Sequence, residues 1–377
     1  MPEISPININ QVNSDKGCSP KTDLKAVDFF CGAGGVTCGF TEAGIHVLGG
    51  IDIDITCKDT YEKNNPGTIF LNKDISTYKP NDLSKDLNIN KKDDNLIFVG
   101  CSPCQYYSGV NTKKEKSENT RLLLVDFQRF VNYFRPGFIF IENVPGLEKK
   151  AGSPLAKFKK FLTDKGYSFN DKVVNAKYLG VPQNRRRYIL IASRLVKKVE
   201  LPSENKAVVK TVHNAIGDLE KFPVIPAGHK DPTTFIHSTA SITPKNIQRL
   251  IKTPADGGSR SEWADTELQL ECYKRHGGHG DVYGRMHWRR PSPTITTKFV
   301  SVSNGRYGHP EQLRAISLRE GAVLQSFKSD YIFYNKGQGN IARMIGNAVP
   351  PKMAEEIGNT IIKNRQNASI QSQSTSN

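Results

Sequence analysis

One short apolar run that stops at a cluster of glycines constrains this fold more than any other feature. Ala26–Phe30 indicates a buried strand, and the chain continues directly into Cys31-Gly32-Ala33-Gly34-Gly35. Glycines after a strand let the backbone approach a ligand, and the helix predicted over Gly35–Ala43 offers free N–H groups. Thr37 stands where a G-x-G-x-x-G pattern would have its third glycine. The segment therefore predicts a ligand-binding loop at a sheet edge.

Further apolar runs alternate with a helical pattern. Val47–Ile51, Leu96–Gly100 and Phe138–Ile141 indicate strands. Thr120–Phe134 has its apolar residues at helical spacing, and Pro136 bars continuation of that helix. Repeated strand–helix–strand units predict an α/β fold with a doubly wound, mostly parallel, Rossmann-like sheet.

Composition divides the chain into two predicted domains. Residues 22–195 together with 341–366 form the predicted sheet domain, in which Ile341–Lys363 is helical again and packs back on the sheet. Residues 196–340 are rich in Pro, Gly, Thr and Ser and predict a second, smaller and irregular domain. The polar ends, 1–21 and 367–377, are predicted to be disordered.

The charge of the chain favours a polyanionic partner. Its formal net charge is +16, yet its first 100 residues hold 10 Lys and Arg against 14 Asp and Glu, so the basic excess lies further on. Nucleic acid is the usual partner of such a surface, although many basic proteins bind none. No apolar run is long enough to span a membrane, and no signal peptide is evident. Seven irregularly spaced cysteines indicate reduced thiols, as in the cytoplasm.

Two carboxylates follow the glycine loop at informative positions. Asp52 ends the next predicted strand, about 20 residues on, where a carboxylate can bind ribose hydroxyls. Asp74 follows another short apolar segment and is within reach of an adenine amine. Each carboxylate alone is better explained as a solvated loop residue. Together with the loop they favour a nucleoside-bearing cofactor, either a dinucleotide or S-adenosylmethionine.

A C-x-x-C pair, Cys101 and Cys104, ends the strand Leu96–Gly100. A thioredoxin-like redox pair is disfavoured, because a polar and basic stretch follows instead of a helix. A zinc site lacks a second cysteine pair, and the order of residues does not fit a zinc deaminase. Two alternatives remain, a single nucleophilic thiol or a buried structural cysteine.

Two further segments place charged groups at strand ends. Glu142 closes the apolar strand Phe138–Ile141, and neighbouring parallel strands end at one edge, so Glu142 and Cys104 can face one substrate. Arg185 and Arg187 precede the predicted strand Tyr188–Ala192 and share a face, where they can serve a base oxygen or a phosphate.

The chain resembles the DNA (cytosine-5) methyltransferases over nearly all of residues 25–363. Six segments carry the resemblance in the order of the family: F-C-G-A-G-G at 30–35, P-C-Q at 103–105, E-N-V at 142–144, Q-N-R-R-R at 183–187, R-E-G-A-V-L-Q-S-F at 319–327 and G-N-A-V-P-P at 346–351. Ser102 departs from the Pro or Phe that the family often has there.

The resemblance implies a role for each of these segments. Cys104 would be the nucleophile that adds to carbon 6 of a flipped cytosine, assisted by Gln105; Glu142 would act at N3, and Arg185 and Arg187 would orient the ring and its O2. S-adenosylmethionine would be the cofactor, with no metal. Its pocket would be lined by Phe30, Gly32, Ala33, Gly34, Gly35, Asp52, Ile53, Asp74, Ile75, Pro103, Asn347 and Val349.

The resemblance also implies DNA as the partner. Residues 105–119 would form a loop that closes on double-stranded DNA, and about 196–318 would hold the target-recognition segment. Residues 274–306 contain seven Lys or Arg and one acidic residue. The predicted DNA contacts are Ser108, Arg275, Arg285, Arg289, Arg290 and Lys298. A monomeric, cytoplasmic enzyme paired functionally with a restriction endonuclease is expected.

Three other functions remain open. An RNA cytosine methyltransferase of the same fold is the nearest, although a long recognition region favours reading of the DNA major groove. An NAD-dependent oxidoreductase is disfavoured by the missing third glycine. A DNA-binding protein without catalysis is disfavoured by the set Cys104, Glu142 and Arg187.

Overall fold

A seven-stranded sheet forms the centre of the computed structural model, which describes residues 22–103, 122–149, 153–264, 266–270, 280–335 and 337–374. The strands lie in the order β3-β2-β1-β4-β5-β7-β6. Their bounds are β1 Lys25–Phe29, β2 His46–Asp52, β3 Ile69–Asn72, β4 Leu96–Gly100, β5 Phe138–Asn143, β6 Ser168–Asn175 and β7 Arg186–Ser193.

Helices cover both faces of this sheet, which confirms the predicted fold class. They are α1 Gly35–Ala43, α2 Lys58–Asn64, α3 Pro80–Asp86, α4 Leu123–Phe134, α5 Gly146–Lys149, α6 Leu155–Asp164, α7 Val212–Ile216, α8 Pro244–Lys252, α9 Leu318–Leu324, α10 Gln338–Asn347 and α11 Pro351–Ser374. Short 3₁₀ turns lie at Ile55–Cys57, Ala176–Leu179, Arg260–Glu262, Thr266–Leu268 and Val302–Asn304. Within the described ranges, no helix is both long and apolar enough to cross a membrane.

Strand direction brings the ends of five strands and the start of β7 to one edge of the sheet. Strands β1 to β5 pair in parallel, so their carboxyl ends share that edge. Strand β7 runs antiparallel to both β5 and β6. The start of β7, with Arg186 and Arg187, therefore lies at the same edge as the end of β5, with Glu142.

Helices α1 and α11 pack closely because small residues line their contact. A Cβ added at Gly39 would lie 2.3 Å from the carbonyl oxygen of Pro351, and one at Gly358 would lie 2.8 Å from the Cβ of Ala43. Since such distances are not tolerated, glycine is required at both positions. This contact fixes the C-terminal helix beside the glycine loop that precedes α1.

The C-terminal region differs from its prediction in two respects. Ile341–Lys363 is not one helix, because Ala348 is extended and Pro350 disfavours helical geometry in the residue before it. Disorder from residue 367 is also wrong as far as Ser374, since α11 continues to that residue. Ala368 is buried against the sheet domain, which gives the helix a reason to persist.

The region from 196 to 340 has a small core of its own, built around Leu250, Trp263 and Tyr283. A second cluster crosses the predicted boundary, because Met286 and Phe299 belong to the same apolar cluster as Ala33 beside the glycine loop. Packing therefore joins the two regions next to the predicted ligand loop.

A fully buried ion pair lies at the N-terminus of α9. Arg314 donates two hydrogen bonds to Glu320, at 2.7 and 2.8 Å, and both side chains are inaccessible to solvent. Glu320 also caps the helix by accepting from the backbone N–H of Ser317. Burial alone would raise the pKa of Glu320, but the bonds and charge of Arg314 outweigh it and lower that pKa to about 2. Burial lowers the pKa of neighbouring His309 to about 4.

This cluster predicts a loss of stability in acid. Both pKa values lie below their ordinary values of 4.5 and 6.5, so both groups contribute stability above those values that is lost as pH falls. We expect the free energy of unfolding to decline from about pH 6.5 towards pH 2. Glu320→Gln should remove the part of the decline below pH 4.5 that Glu320 causes, leaving the part due to His309, and destabilise the protein by about 3 kcal/mol at neutral pH.

Urea denaturation across this pH range measures both effects. Glu220→Gln, at an exposed position, serves as the matched control and should leave the profile unchanged. An unaltered acid limb in the Glu320 variant would contradict the assignment.

Candidate functional site

The loop after β1 has the strained geometry of a ligand-binding turn. Phe30 has a φ of +65°, which is costly for an aromatic residue, and Gly32 and Gly34 have φ values of +49° and +84°. A Cβ at Gly34 would lie 2.8 Å from the Nδ2 atom of Asn65, whereas one at Gly32 would meet no atom within 4 Å. The backbone at Gly32 therefore faces open space in which a ligand can approach it.

Asp52 accepts hydrogen bonds from the backbone of this loop, and its carboxylate oxygens can still accept further bonds from a ligand. Its Oδ2 accepts from the N–H of Gly32 at 2.8 Å, and its Oδ1 accepts from the N–H of Asp54 at 2.8 Å. Burial raises its pKa. Each carboxylate oxygen can accept a second bond, which suits a pair of vicinal hydroxyls. Next to it, Ile53 is 68% exposed and offers an apolar surface on which a planar base can stack.

Asp74 lies further along the same edge, after β3. Its Oδ1 accepts from the N–H and the hydroxyl of Ser76, at 2.9 and 2.7 Å, while its side chain remains exposed. The side chain of Ile75 is buried in the core, and its carbonyl accepts from Arg129 at 2.5 Å. A ligand would therefore meet the backbone of Ile75 and not its side chain.

Thr37 stands at the third-glycine position of a G-x-G-x-x-G pattern, and its hydroxyl takes part in buried hydrogen bonds that glycine could not make. Its hydroxyl donates to Oδ2 of buried Asp28 at 2.9 Å and lies 3.0 Å from the hydroxyl of Tyr61. Burial raises the pKa of Asp28 to about 7. The threonine thus provides a polar partner for a carboxyl group inside β1.

The segment between α10 and α11 lies against the glycine loop. A Cβ at Gly35 would lie only 2.3 Å from the carbonyl oxygen of Val349, so the two backbones are in direct contact. The side chain of Asn347 is exposed at the end of α10. On the other side of the loop, the hydroxyl of Tyr331 donates a hydrogen bond to the carbonyl of Ala33.

Glu142 and Arg187 form an ion pair at the shared sheet edge. Arg187 Nε lies 2.9 Å from Glu142 Oε1, and both side chains are largely buried, with 13% and 10% of their surface exposed. They are diagonal neighbours on the paired strands β5 and β7. The contact is not an aligned hydrogen bond, so Oε1 keeps its capacity to accept one. The pair places an anchored carboxylate and a cation side by side at this edge.

The end of β4 adjoins this pair. Gly100 is paired with Ile141, and Asn143 donates to the carbonyl of Ser102 at 3.3 Å. Pro103 is exposed at the last described position before a gap. Cys104 and Gln105 lie outside the described residues. Burial, together with the charge of Glu142, raises the pKa of the Cys101 thiol well above its ordinary value, so this cysteine is a poor nucleophile.

Arg185 does not point at a substrate, contrary to its predicted role. Its guanidinium donates to three backbone carbonyls, those of Ile295 at 3.1 Å, Ala348 at 3.1 Å and Gly346 at 3.4 Å. The side chain is buried, and burial lowers its pKa. It links these backbone segments, and of the two arginines it is Arg187 that contacts Glu142.

The predicted DNA contact at Arg285 is wrong. Its side chain is buried and donates to the carbonyls of Leu250, Thr253, His309 and Gln312 at 2.7–3.0 Å. Four of its five N–H donors are used in these bonds and the side chain is buried, so Arg285 does not reach a phosphate at the surface. Arg289, Arg290 and Lys298 are exposed and stay predicted contacts. Ser108 and Arg275 lie outside the described residues.

A cavity of about 350 Å³ lies elsewhere, along the outer side of α1. Its lining includes Cys38, Lys210, Lys328 and Lys352. Lys328 is paired with Glu42, and Lys352 is paired with Glu355. None of the predicted site residues lines this cavity, so it is separate from the site described above.

Two glutamines, to which the sequence analysis gave no role of their own, are buried beside the site. Gln183 and Gln325 are both inaccessible to solvent, and Gln183 donates to Gln325 at 2.5 Å. For Gln325, the available signal was its position between the apolar residues Leu324 and Phe327. Their partners are distant in sequence, so only the fold shows the pair.

Comparison with known proteins identifies the family of this chain. The model of the family described as C-5 cytosine-specific DNA methylase matches residues 24–363. The Type II methylase M.HgiDII of Herpetosiphon aurantiacus is 38% identical over 342 residues, which cover 89% of this chain and 94% of that protein. The Type II methyltransferase M1.HphI of Haemophilus parahaemolyticus is 30% identical over 349 residues, which cover 91% of this chain and 88% of that protein.

Solved structures share the fold. A DNA modification methyltransferase encoded within an Escherichia coli prophage superposes with a TM-score of 0.69 at 21% identity, over 91% of this chain and 99% of that one. Spodoptera frugiperda DNMT2 gives a TM-score of 0.60 at 17% identity, over 90% and 99% of the two chains. The family model spans the sheet, the glycine loop and the Glu142–Arg187 pair, and the chain belongs to the C-5 cytosine-specific DNA methylase family.

Proposed function

We propose that this protein transfers a methyl group from S-adenosylmethionine to carbon 5 of cytosine in a specific double-stranded DNA sequence. We further propose that it is the modification enzyme of a Type II restriction–modification system, as the names of its relatives suggest. The observation that carries the proposal is the Glu142–Arg187 pair at the sheet edge where β4 leads into Cys104. We propose, in addition, that the protein is a cytoplasmic monomer whose activity is paired with that of a restriction endonuclease.

The described residues fit the cofactor. The Asp52 carboxylate suits two ribose hydroxyls, exposed Ile53 suits an adenine face, and Gly32 opens the backbone to the rest of the molecule. Asp74 suits the adenine amine. In the described part of the chain, no three His, Cys, Asp or Glu side chains cluster as metal ligands would. When bound, S-adenosylmethionine supplies an electrophilic methyl group.

The protein residues make cytosine reactive towards that group. Carbon 5 of cytosine is a poor nucleophile, and covalent catalysis divides the difficult step into easier ones. The Cys104 thiolate forms a bond to carbon 6, while Glu142 holds a proton at N3, so electron density moves to carbon 5. Arg187 holds both O2 and the carboxylate of Glu142. After methylation, carbon 5 loses its proton to a base, and the thiolate leaves.

The target base must leave the duplex before this chemistry. Extrusion of a base costs a few kcal/mol, which contacts to the phosphates offset. The exposed side chains Arg289, Arg290 and Lys298 are suited to such contacts, together with Ser108 and Arg275. The same basic region gives binding that weakens as the salt concentration rises.

Asp52→Ala should weaken binding of S-adenosylmethionine by at least about tenfold, since hydrogen bonds donated to a charged acceptor contribute about 1.5–3 kcal/mol each. Isothermal titration calorimetry measures the change. Asp82→Ala, at an exposed position in α3, is the matched control and should bind normally. Equal affinity in the two variants would contradict the ribose assignment.

Bisulfite sequencing of a DNA library treated with the pure protein and S-adenosylmethionine tests the function itself. The proposal predicts methylated cytosines confined to one short sequence. Transfer to tRNA but not to duplex DNA would favour an RNA methyltransferase of the same fold. Binding of NAD in place of S-adenosylmethionine would favour an oxidoreductase.

A further inference from the structure

Two buried donors converge on one carbonyl in the segment that contacts the cofactor loop. The carbonyl oxygen of Ala348 accepts from Gln325 Nε2 at 3.0 Å and from Arg185 Nη2 at 3.1 Å. The same side chains also bind the carbonyls of Ile345, at 2.9 Å, and Gly346, at 3.4 Å. The last carbonyls of a helix have no partner within it, and a cation there is favourable. Gln325 and Arg185 thus satisfy the end of α10.

Gln183 determines which way the amide of Gln325 faces. Its Nε2 donates to Gln325 Oε1 at 2.5 Å, so the donor side of Gln325 must face α10. Gln183 Oε1 accepts from the N–H of Ile295 at 3.0 Å, and Arg185 binds the carbonyl of that residue at 3.1 Å. Both backbone groups of Ile295 are therefore held by the set that holds Ala348.

This set connects the two halves of the proposed site. On one side, Val349 follows Ala348 and its carbonyl rests against Gly35 of the cofactor loop. On the other side, Arg185 lies two residues before Arg187, which contacts Glu142. A shift of Ala348 would also move Val349, the next residue in the chain, and would disturb a contact with Gly35 that leaves no space for even one added carbon.

We infer that Gln183, Arg185 and Gln325 are positioning residues that set the affinity for S-adenosylmethionine by fixing Ala348 and Val349 against the glycine loop. They need not touch the cofactor or the base. The inference rests on the proposed function, because it takes the cofactor to be S-adenosylmethionine.

Gln325→Glu tests the inference with little change of shape. A carboxylate cannot donate to Ile345 and Ala348, so we expect the dissociation constant for S-adenosylmethionine to rise by about fivefold or more. Gln183→Glu is the second variant. It cannot donate to Gln325 Oε1, so the amide should turn away from α10 and produce the same loss. Gln338→Glu makes the same charge change at the opposite end of α10 and should bind normally.

The readout separates positioning from general stability. Calorimetry gives the affinity of the folded protein, and hydrogen exchange of residues 345–349 should become faster in both test variants than in wild type. DNA affinity without cofactor should be unchanged. Wild-type affinity in the two folded test variants would overturn the inference, and so would failure of both to fold, because the residues would then be merely structural. Failure of the proposed function would appear separately, as wild-type protein that does not bind S-adenosylmethionine.

Discussion

Replacing Cys104 with alanine should reduce methyl transfer to duplex DNA by at least about 10³-fold, because a covalent mechanism has no substitute for its nucleophile. Binding of S-adenosylmethionine should be unchanged, since no thiol takes part in the proposed cofactor contacts. Single-turnover transfer of a labelled methyl group measures the rate, and calorimetry measures cofactor binding.

Cys101→Ala is the matched control for this experiment. The two cysteines are three residues apart, but burial keeps the thiol of Cys101 protonated. We expect this variant to retain most of the activity. Activity that survives in the Cys104 variant, or that disappears only in the Cys101 variant, would refute the choice of nucleophile.

Glu142→Gln should lower the rate of methyl transfer by about 10²- to 10³-fold, because the amide keeps the shape of the side chain but cannot transfer a proton to N3. The change also leaves the guanidinium of Arg187 without its counter-charge at a largely buried position. Loss of one partner of a buried pair costs about 3–5 kcal/mol, so the folded fraction must be measured alongside the rate.

Two controls separate these effects. Glu148→Gln removes a nearby exposed carboxylate in α5 and should leave transfer unchanged. The double variant Glu142→Gln with Arg187→Gln should recover stability but not activity, because the two side chains are coupled. Recovered activity would mean that Glu142 serves only to neutralise Arg187.

The sequence predicted those parts of the molecule that depend on local pattern. The bounds of α1 and β4 agree with the predicted Gly35–Ala43 and Leu96–Gly100. Both elements end at or next to a glycine, and such local signals determine where a helix or strand ends. The position of Asp52 at the end of β2 also followed from its strand.

Contacts between distant segments lay beyond the sequence. Arg185 and Arg285 appeared to be exposed cations, but both are buried, and several of the carbonyls that they bind are more than 25 residues away in the chain. The presence of an arginine in the sequence does not show whether its guanidinium binds a phosphate or backbone carbonyls. The roles of Gln183 and Gln325 escaped for the same reason.

The persistence of α11 to Ser374 shows a related limit. Its last turns are rich in Ser, Gln and Asn, which are typical of disordered tails, and their composition predicts no helix. Packing of the earlier part of α11 on α1 through Gly39 and Gly358 provides a nucleus from which the helix continues.

Covalent capture of the target base tests the central claim most directly. A duplex with 5-fluorocytosine at the target position should react with the protein and S-adenosylmethionine but fail to release, because fluorine cannot leave carbon 5 as a proton does. Mass spectrometry of the denatured product is predicted to show protein joined to methylated DNA through Cys104. A linkage at another residue, or none from protein that methylates ordinary cytosine at that position, would contradict the account.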